Sequence, residues 1–293
     1  MARRIELVVD AQATLGEGPL WDEREKLLYW VDILRHALHV YDPASGENTT
    51  YDVGQRVSTV VLDESGGVLV AVENGFARFD CATSQLEIIV DPEEDKPENR
   101  FNDGKCDPGG RFWAGTMHAS ATVPDKGSLY RLDPDLSVHT MLTGVSISNG
   151  IVWTDDRKTM YFNDTIPGTV TAFDYDNETG DISNPRVVIR IPADMGMPDG
   201  MAIDSEGRLW IAHFFGGAVH RWDPRTGTVI DTIALPVSNP TACAFAGDNL
   251  DELYITTARD SVSEEKLKGE PHAGGLFHVK VGVRGTLTHR FKG

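Results

Sequence analysis

Apolar residues in this chain come in short runs, broken at brief intervals by Gly, Pro and Asp. Segments such as KLLYWVDI, GSLYRLD, TMYFND and TVTAFDYD are rich in Val, Tyr, Phe and other residues that fit a pleated, half-buried surface. Helical periodicity is almost absent, and the best helix candidate, 261-SVSEEKLKG-269, is short. The pattern predicts an all-β fold.

The runs also repeat. GPLWDEREKLLYWVDI, DGKCDPGGRFWAGTM, GIVWTDDRKTMYFND and GMAIDSEGRLWIAHF each read as an apolar strand, an Asp/Gly-rich turn and a second strand. Aligning six such hairpins makes Trp21, Leu62, Cys106, Trp153, Ile203 and Phe245 equivalent, at spacings of 41, 44, 47, 50 and 42 residues. A period of that size suits a four-stranded blade, and six blades use the whole chain. A six-bladed β-propeller over residues 1–293, as one domain, is therefore expected. The N-terminal strand IELVVD should pair into the last blade, since closing the ring removes open sheet edges.

Four residues before each aligned apolar position stands a polar one: Glu17, Ser58, Asn102, Asn149, Asp199 and Thr241. In a propeller the innermost strands surround one channel, so these positions converge at one height. Any one of them alone could cap a turn. Together, Glu17 and Asp199 would repel unless one took up a proton or a cation lay between them. With the amide oxygen of Asn149 they form an oxygen-only set suited to hard divalent ions such as Ca²⁺, Mg²⁺ or Mn²⁺. Three protein ligands leave positions open for water and substrate. Glycine directly follows Glu17, Asn149 and Asp199, which lets the backbone bend without a β-carbon crowding the channel. Arg100, in 100-RFNDGK-105, places a permanent cation nearby to bind hydroxyls or an oxyanion, or else pairs with Glu98 or Asp103.

Charge narrows the partners. The net charge of −18 opposes binding to nucleic acid and to anionic membranes, so neither is expected. No segment has the length of a membrane span or a secretory signal, and a cytoplasmic protein is expected, monomeric or weakly homo-oligomeric. Three scattered cysteines, Cys81, Cys106 and Cys243, fit neither a disulfide framework nor a thiolate zinc site and are expected as buried thiols.

At these residues the chain resembles the gluconolactonase/regucalcin (senescence marker protein, SMP-30-like) family. LGEGPLW, RFNDGKCDPGGRFWAGTM, SNGIVW, PDGMAID and GRLWIA carry the resemblance, which runs from about residue 10 to 280. It implies a six-bladed propeller with one divalent metal (Ca, Zn, Mn, Mg or Fe(II)) in the channel, held by Glu17, Asn149 and Asp199. It also implies hydrolysis of a sugar lactone to its aldonic acid, the metal polarising the carbonyl. In that likeness Asp199 is the general base, Arg100 and Asn102 bind the substrate, and Asp103 supports the site. The lid loop departs from the family: 118-HASATVPDKG-127 has Ser120 where animal members carry an acidic sugar contact, and His118 is read as a surface histidine, with a replacement contact as the alternative.

Other machinery is missing from the sequence: there is no GxSxG, HExxH, P-loop or GxGxxG. The acidic run DYDNETGD is no EF-hand, since the loop lacks Gly at its sixth position and has Pro185 where the bidentate Glu belongs. His213, in IAHFFGG, is read as a packed core histidine, with a channel-lining position as the alternative. Two other functions stay open beside the lactonase, a phosphotriesterase-like metal hydrolase and a non-catalytic cation-binding propeller.

Overall fold

Each predicted hairpin is the inner pair of a four-stranded antiparallel sheet, and there are six such sheets. The inner strand of each packs against the inner strand of the next, and the sixth against the first, so the ring is closed. This is a six-bladed β-propeller. The computed structural model describes residues 3–293. The inner strands are Gly16–Asp22, Val57–Leu62, Asn99–Cys106, Ser148–Trp153, Met197–Ile203 and Pro240–Ala246.

Closure is made by the N-terminal strand Ile5–Val9, which pairs antiparallel with Leu276–Lys280 as the outer strand of the sixth blade. The last blade thus draws its strands from both ends of the chain. The only α-helix among the described residues, Glu264–Gly269, lies where expected and is capped by Ser263, whose hydroxyl accepts the Lys266 N–H. None of the described helices is long and apolar enough to cross a membrane.

Burial between blades follows from the alternation along each strand. Trp30, Trp113 and Trp210, all on second strands, are among the largest fully buried side chains. Two of them are also tied by their indole N–H groups to the Asp that opens the preceding turn: Trp113 to Asp107 and Trp210 to Asp204, each at 2.9 Å. The motifs DPGGRFW and DSEGRLW therefore encode both a tight turn and a satisfied buried tryptophan. At the end of the channel reached by the inner strands' last residues, the C-terminal segment forms a floor. Its Thr286 N–H donates to the carbonyl of Ile203, Phe291 N–H to that of Leu62, and Lys292 N–H to that of Gly110.

The feature that builds the site is repeated six times. Every inner strand loses register with its neighbour near its start: between Glu17 and Leu20, Val57 and Thr59, Phe101 and Gly104, Asn149 and Ile151, Pro198 and Met201, and Pro240 and Ala242. A bulge of this kind re-aims a side chain and ends regular pairing. The six polar positions aligned in the sequence all lie in or at the edge of these bulges.

Two expectations change. Cys106 and Cys243 are buried, but Cys81 is partly exposed in the turn after the third strand of the second blade, Gly75–Asp80. The glycines differ among themselves too. Gly18 does bend the backbone, at φ 53°. Gly150 and Gly200 serve close packing instead. A β-carbon on Gly150 would lie 2.6 Å from Met201 Cγ, and one on Gly200 2.4 Å from Ala242 Cβ, each on the next inner strand.

Candidate active site

The bulges at the channel entrance gather Glu17, Arg100, Asn102, Asn149 and Asp199 around one cavity of about 260 Å³. All five are nearly buried, at 4–7% exposure, so each must find partners or carry an electrostatic penalty. The other two polar positions of the alignment, Ser58 and Thr241, depart from the expectation that all six face the axis together. Ser58 donates to the Phe101 carbonyl at 2.6 Å, and Thr241 donates to the Gly16 carbonyl. These hydroxyls staple one inner strand to the next. Asn102 does both jobs, donating to the Ser148 carbonyl at 2.8 Å while lining the cavity.

Hydrogen bonds fix the orientation of Asn149. Its Nδ2 donates to Thr165 Oγ1 at 2.8 Å, and that hydroxyl spends its own proton on the Pro198 carbonyl, also at 2.8 Å. Thr165 can then only accept from Asn149, so the amide nitrogen is turned to Thr165 and Oδ1 to the site. Asn102 Nδ2 reaches that oxygen at 3.2 Å. Arg100 completes the chain: its Nη1 donates to Asn102 Oδ1 and to the Phe101 carbonyl, each at 2.8 Å. Arg100 thus bonds to Asn102 and the Phe101 carbonyl and, among the described residues, forms no ion pair with Glu98 or Asp103.

The electrostatics are those of a site short of positive charge. Burial holds the Glu17 carboxyl well above the usual range, and Asp199 and then Asp103 push it further up. Asp199 is raised likewise, first by burial and then by Asp103, against the Gly200 N–H, Arg100 and the Asn149 amide. Loss of water lowers Arg100 to about 10, with Glu17, Glu73 and Asp199 opposing. Neither Glu17 nor Asp199 forms an ion pair among the described residues. Two buried carboxylates without a direct ion-pair partner, and with Arg100 turned to Asn102 and the Phe101 carbonyl, fit a divalent cation, and the amide oxygen beside them supplies a third hard donor. Among the described residues no three His, Cys, Asp or Glu side chains come together as a metal cluster, so the set rests on two carboxylates and one amide.

Below this set the channel is still polar. Asp103 and Lys105 lie deeper along the axis with Gly18, Thr59 and Gly200. Lys105 Nζ donates to the Met201 carbonyl at 2.9 Å, and burial lowers its proton affinity while Asp103 raises it. Thr165 and Lys105 are the site residues that sequence reasoning missed. Neither falls at an aligned repeat position: Thr165 follows the second strand of its blade, and Lys105 lies beyond the bulge. At the rim, Ala121 lines the cavity, whereas His118 and Ser120 do not. They instead share a hydrogen bond of 2.8 Å between His118 Nδ1 and Ser120 Oγ. His213 is fully buried, accepts from Trp222 Nε1 at 3.3 Å and stacks on that ring, as a core histidine should.

Comparison with known proteins agrees with the fold and places the chain in a family. A family model described as SMP-30/Gluconolactonase/LRE-like region matches residues 15–259. The chain is 40% identical to regucalcin of Xenopus laevis over 295 residues, 99% of both chains. It is 39% identical to a putative sugar lactone lactonase of Bacillus subtilis over 287 residues, 98% of both. Among solved structures, a calcium-binding regucalcin of Agrobacterium tumefaciens superposes with a TM-score of 0.93 at 30% identity, over 100% of this chain and 97% of the other.

Proposed function

This chain belongs to the SMP-30/gluconolactonase/LRE-like family, and on that premise we propose that it is a hydrolase that opens a sugar lactone to its aldonic acid. Glu17, Asn149 and Asp199 would hold one divalent cation, and the Agrobacterium relative is described as a calcium-binding protein. The observation that carries this reading is the buried, unpaired couple of Glu17 and Asp199 beside an oriented amide oxygen.

When bound there, a divalent cation supplies Lewis-acid polarisation of the lactone carbonyl. The residues of the chain do the rest. Asp199 takes a proton from the attacking water. An ordinary aspartate is a weak base at neutral pH, so this step relies on the polarisation that a bound cation would supply. The same proton passes to the ring oxygen as the acyl–oxygen bond breaks. Arg100 is aimed by its bonds to Asn102 and the Phe101 carbonyl and stabilises negative charge on the carbonyl oxygen. Asn102, whose Nδ2 is engaged by the Ser148 carbonyl and Asn149, presents the remaining lone pair of Oδ1 to a substrate hydroxyl. The near-complete burial of these groups strengthens each interaction.

The test is acid release from a panel of aldono-lactones, each with Ca²⁺, Mg²⁺, Mn²⁺, Zn²⁺ or Fe²⁺ and corrected for spontaneous opening, beside a phosphotriester. Catalytic efficiency should be far higher on at least one lactone. A preference for the phosphotriester, or no metal-dependent turnover of any lactone, would refute the assignment.

A further inference from the structure

The catalytic floor explains only part of the cavity. Above it, Met117, Ile147, Ile166, Met197, Phe214 and Phe215 line the same space. Two of them are exposed large hydrophobic residues, Ile166 at 47% and Phe215 at 52%. A single exposed apolar side chain needs no explanation, but two at the mouth of one cavity with a polar floor form a binding wall.

The backbone at Phe215 points the same way. It sits at φ 66°, in the left-handed region that bulky residues avoid. Glycines occupy the next two positions, and Gly217 at φ 61° shows what this turn ordinarily takes. The conformation of Phe215 is held by its N–H donating to Asn239 Oδ1 at 3.2 Å and by the Phe214 ring, edge-on with centroids 4.6 Å apart. A strained aromatic fixed at a cavity mouth marks a ligand contact. Ile166 follows Thr165 directly, so the hairpin that orients Asn149 also supplies the wall.

A polyol lactone would bring hydroxyl groups to this wall, and each would lose water without gaining a partner. Outside the floor, the polar lining is Asp260, Ser261 and Thr165, whose hydroxyl is already engaged. We propose that the site hydrolyses lactones bearing an apolar substituent, an alkyl or aryl group on the carbon attached to the ring oxygen, in addition to sugar lactones. This rests on the lactonase reading. The lactone group lies on the floor and the substituent against Phe215 and Ile166. Water adds at the acyl carbon, a C–O bond forms, the acyl–ring oxygen bond breaks, and the ring oxygen leaves as a hydroxyl with a proton taken from that water. The product is a hydroxy acid, and no other reactant is needed.

The test uses metal-loaded full-length protein with gluconolactone and δ-lactones carrying methyl, propyl and pentyl groups at the ring carbon. The expected result is kcat/KM rising roughly two- to fourfold per methylene, with KM falling. Phe215→Gly removes the ring and relieves the backbone, so it should fold, and it should flatten that dependence on chain length. A flat or falling series with gluconolactone still hydrolysed overturns this proposal and leaves the lactonase reading standing. An unchanged slope in Phe215→Gly also overturns it. No turnover of any lactone overturns both.

Discussion

Thr165 sets the direction of Asn149: its hydroxyl accepts from Asn149 Nδ2 while donating to the Pro198 carbonyl, both at 2.8 Å, so the amide oxygen can only face the cavity. One hydroxyl thus links the inner strands of the fourth and fifth blades and orients a proposed metal ligand. Thr165→Val keeps the shape and removes both bonds. Cation affinity and kcat/KM should fall about 10- to 100-fold, as is usual when a ligand loses its outer support. Calorimetric cation titration of the variant checks it, and unchanged affinity would show that Asn149 is held by other means.

Asp199 carries two roles in this account, ligand and base. Asp199→Asn keeps an oxygen donor but cannot take a proton. It should lose at least ~10³-fold in kcat, at the upper part of the range for a general base, while binding the cation more weakly. Steady-state lactone assays at saturating cation separate the two effects. A variant with near-native kcat would remove Asp199 from proton transfer.

Gly200 gives a packing prediction. A methyl group there meets Ala242 Cβ at 2.4 Å and Ala242 Cα at 2.8 Å, on the neighbouring inner strand. Gly200→Ala should destabilise the fold by about 1–3 kcal/mol and also lower activity, because Asp199 is adjacent in the same bulge. Urea unfolding midpoints and turnover, measured on one preparation, should drop together.

Acid stability should depend on buried histidine. His39 stacks on Trp30 with centroids 3.9 Å apart, and burial lowers its pKa from 6.5 to about 4, against the pull of Asp32. Between those two values the unfolded chain binds more protons than the native one, so stability falls as pH drops from 6.5 to 4 and is fully present above 6.5. The loss from this residue is on the order of 3 kcal/mol. His39→Gln should unfold with a flatter pH dependence across that window. Parallel profiles for the two proteins would assign the acid sensitivity elsewhere.

Much of this was legible in the sequence because the propeller writes its repeat into the chain. The spacing from Trp21 to Phe245 located all six inner strands, and the polar residue four places earlier located all six bulges. The closing strand IELVVD was readable for the same reason, as the one unpaired strand left over. The repeat could not say which polar residues face the axis. Ser58 and Thr241 have short hydroxyls that reach a carbonyl on the adjacent strand, whereas Glu17, Asn149 and Asp199 extend into the cavity. Gly150 and Gly200 looked like bends because only Gly18 shows its reason locally; theirs lies on another strand. Thr165 and Phe215 left no periodic signal at all. They act from the loops after second strands, where position is set by the fold and not by the pattern.

Removing divalent cations with a chelator, then adding them back while following lactone opening, tests the central claim most directly. The account predicts that stripped protein shows no opening above the spontaneous rate. It predicts full recovery at one cation per chain, and no recovery when both Glu17→Gln and Asp199→Asn are present. Undiminished turnover by the stripped protein would contradict it.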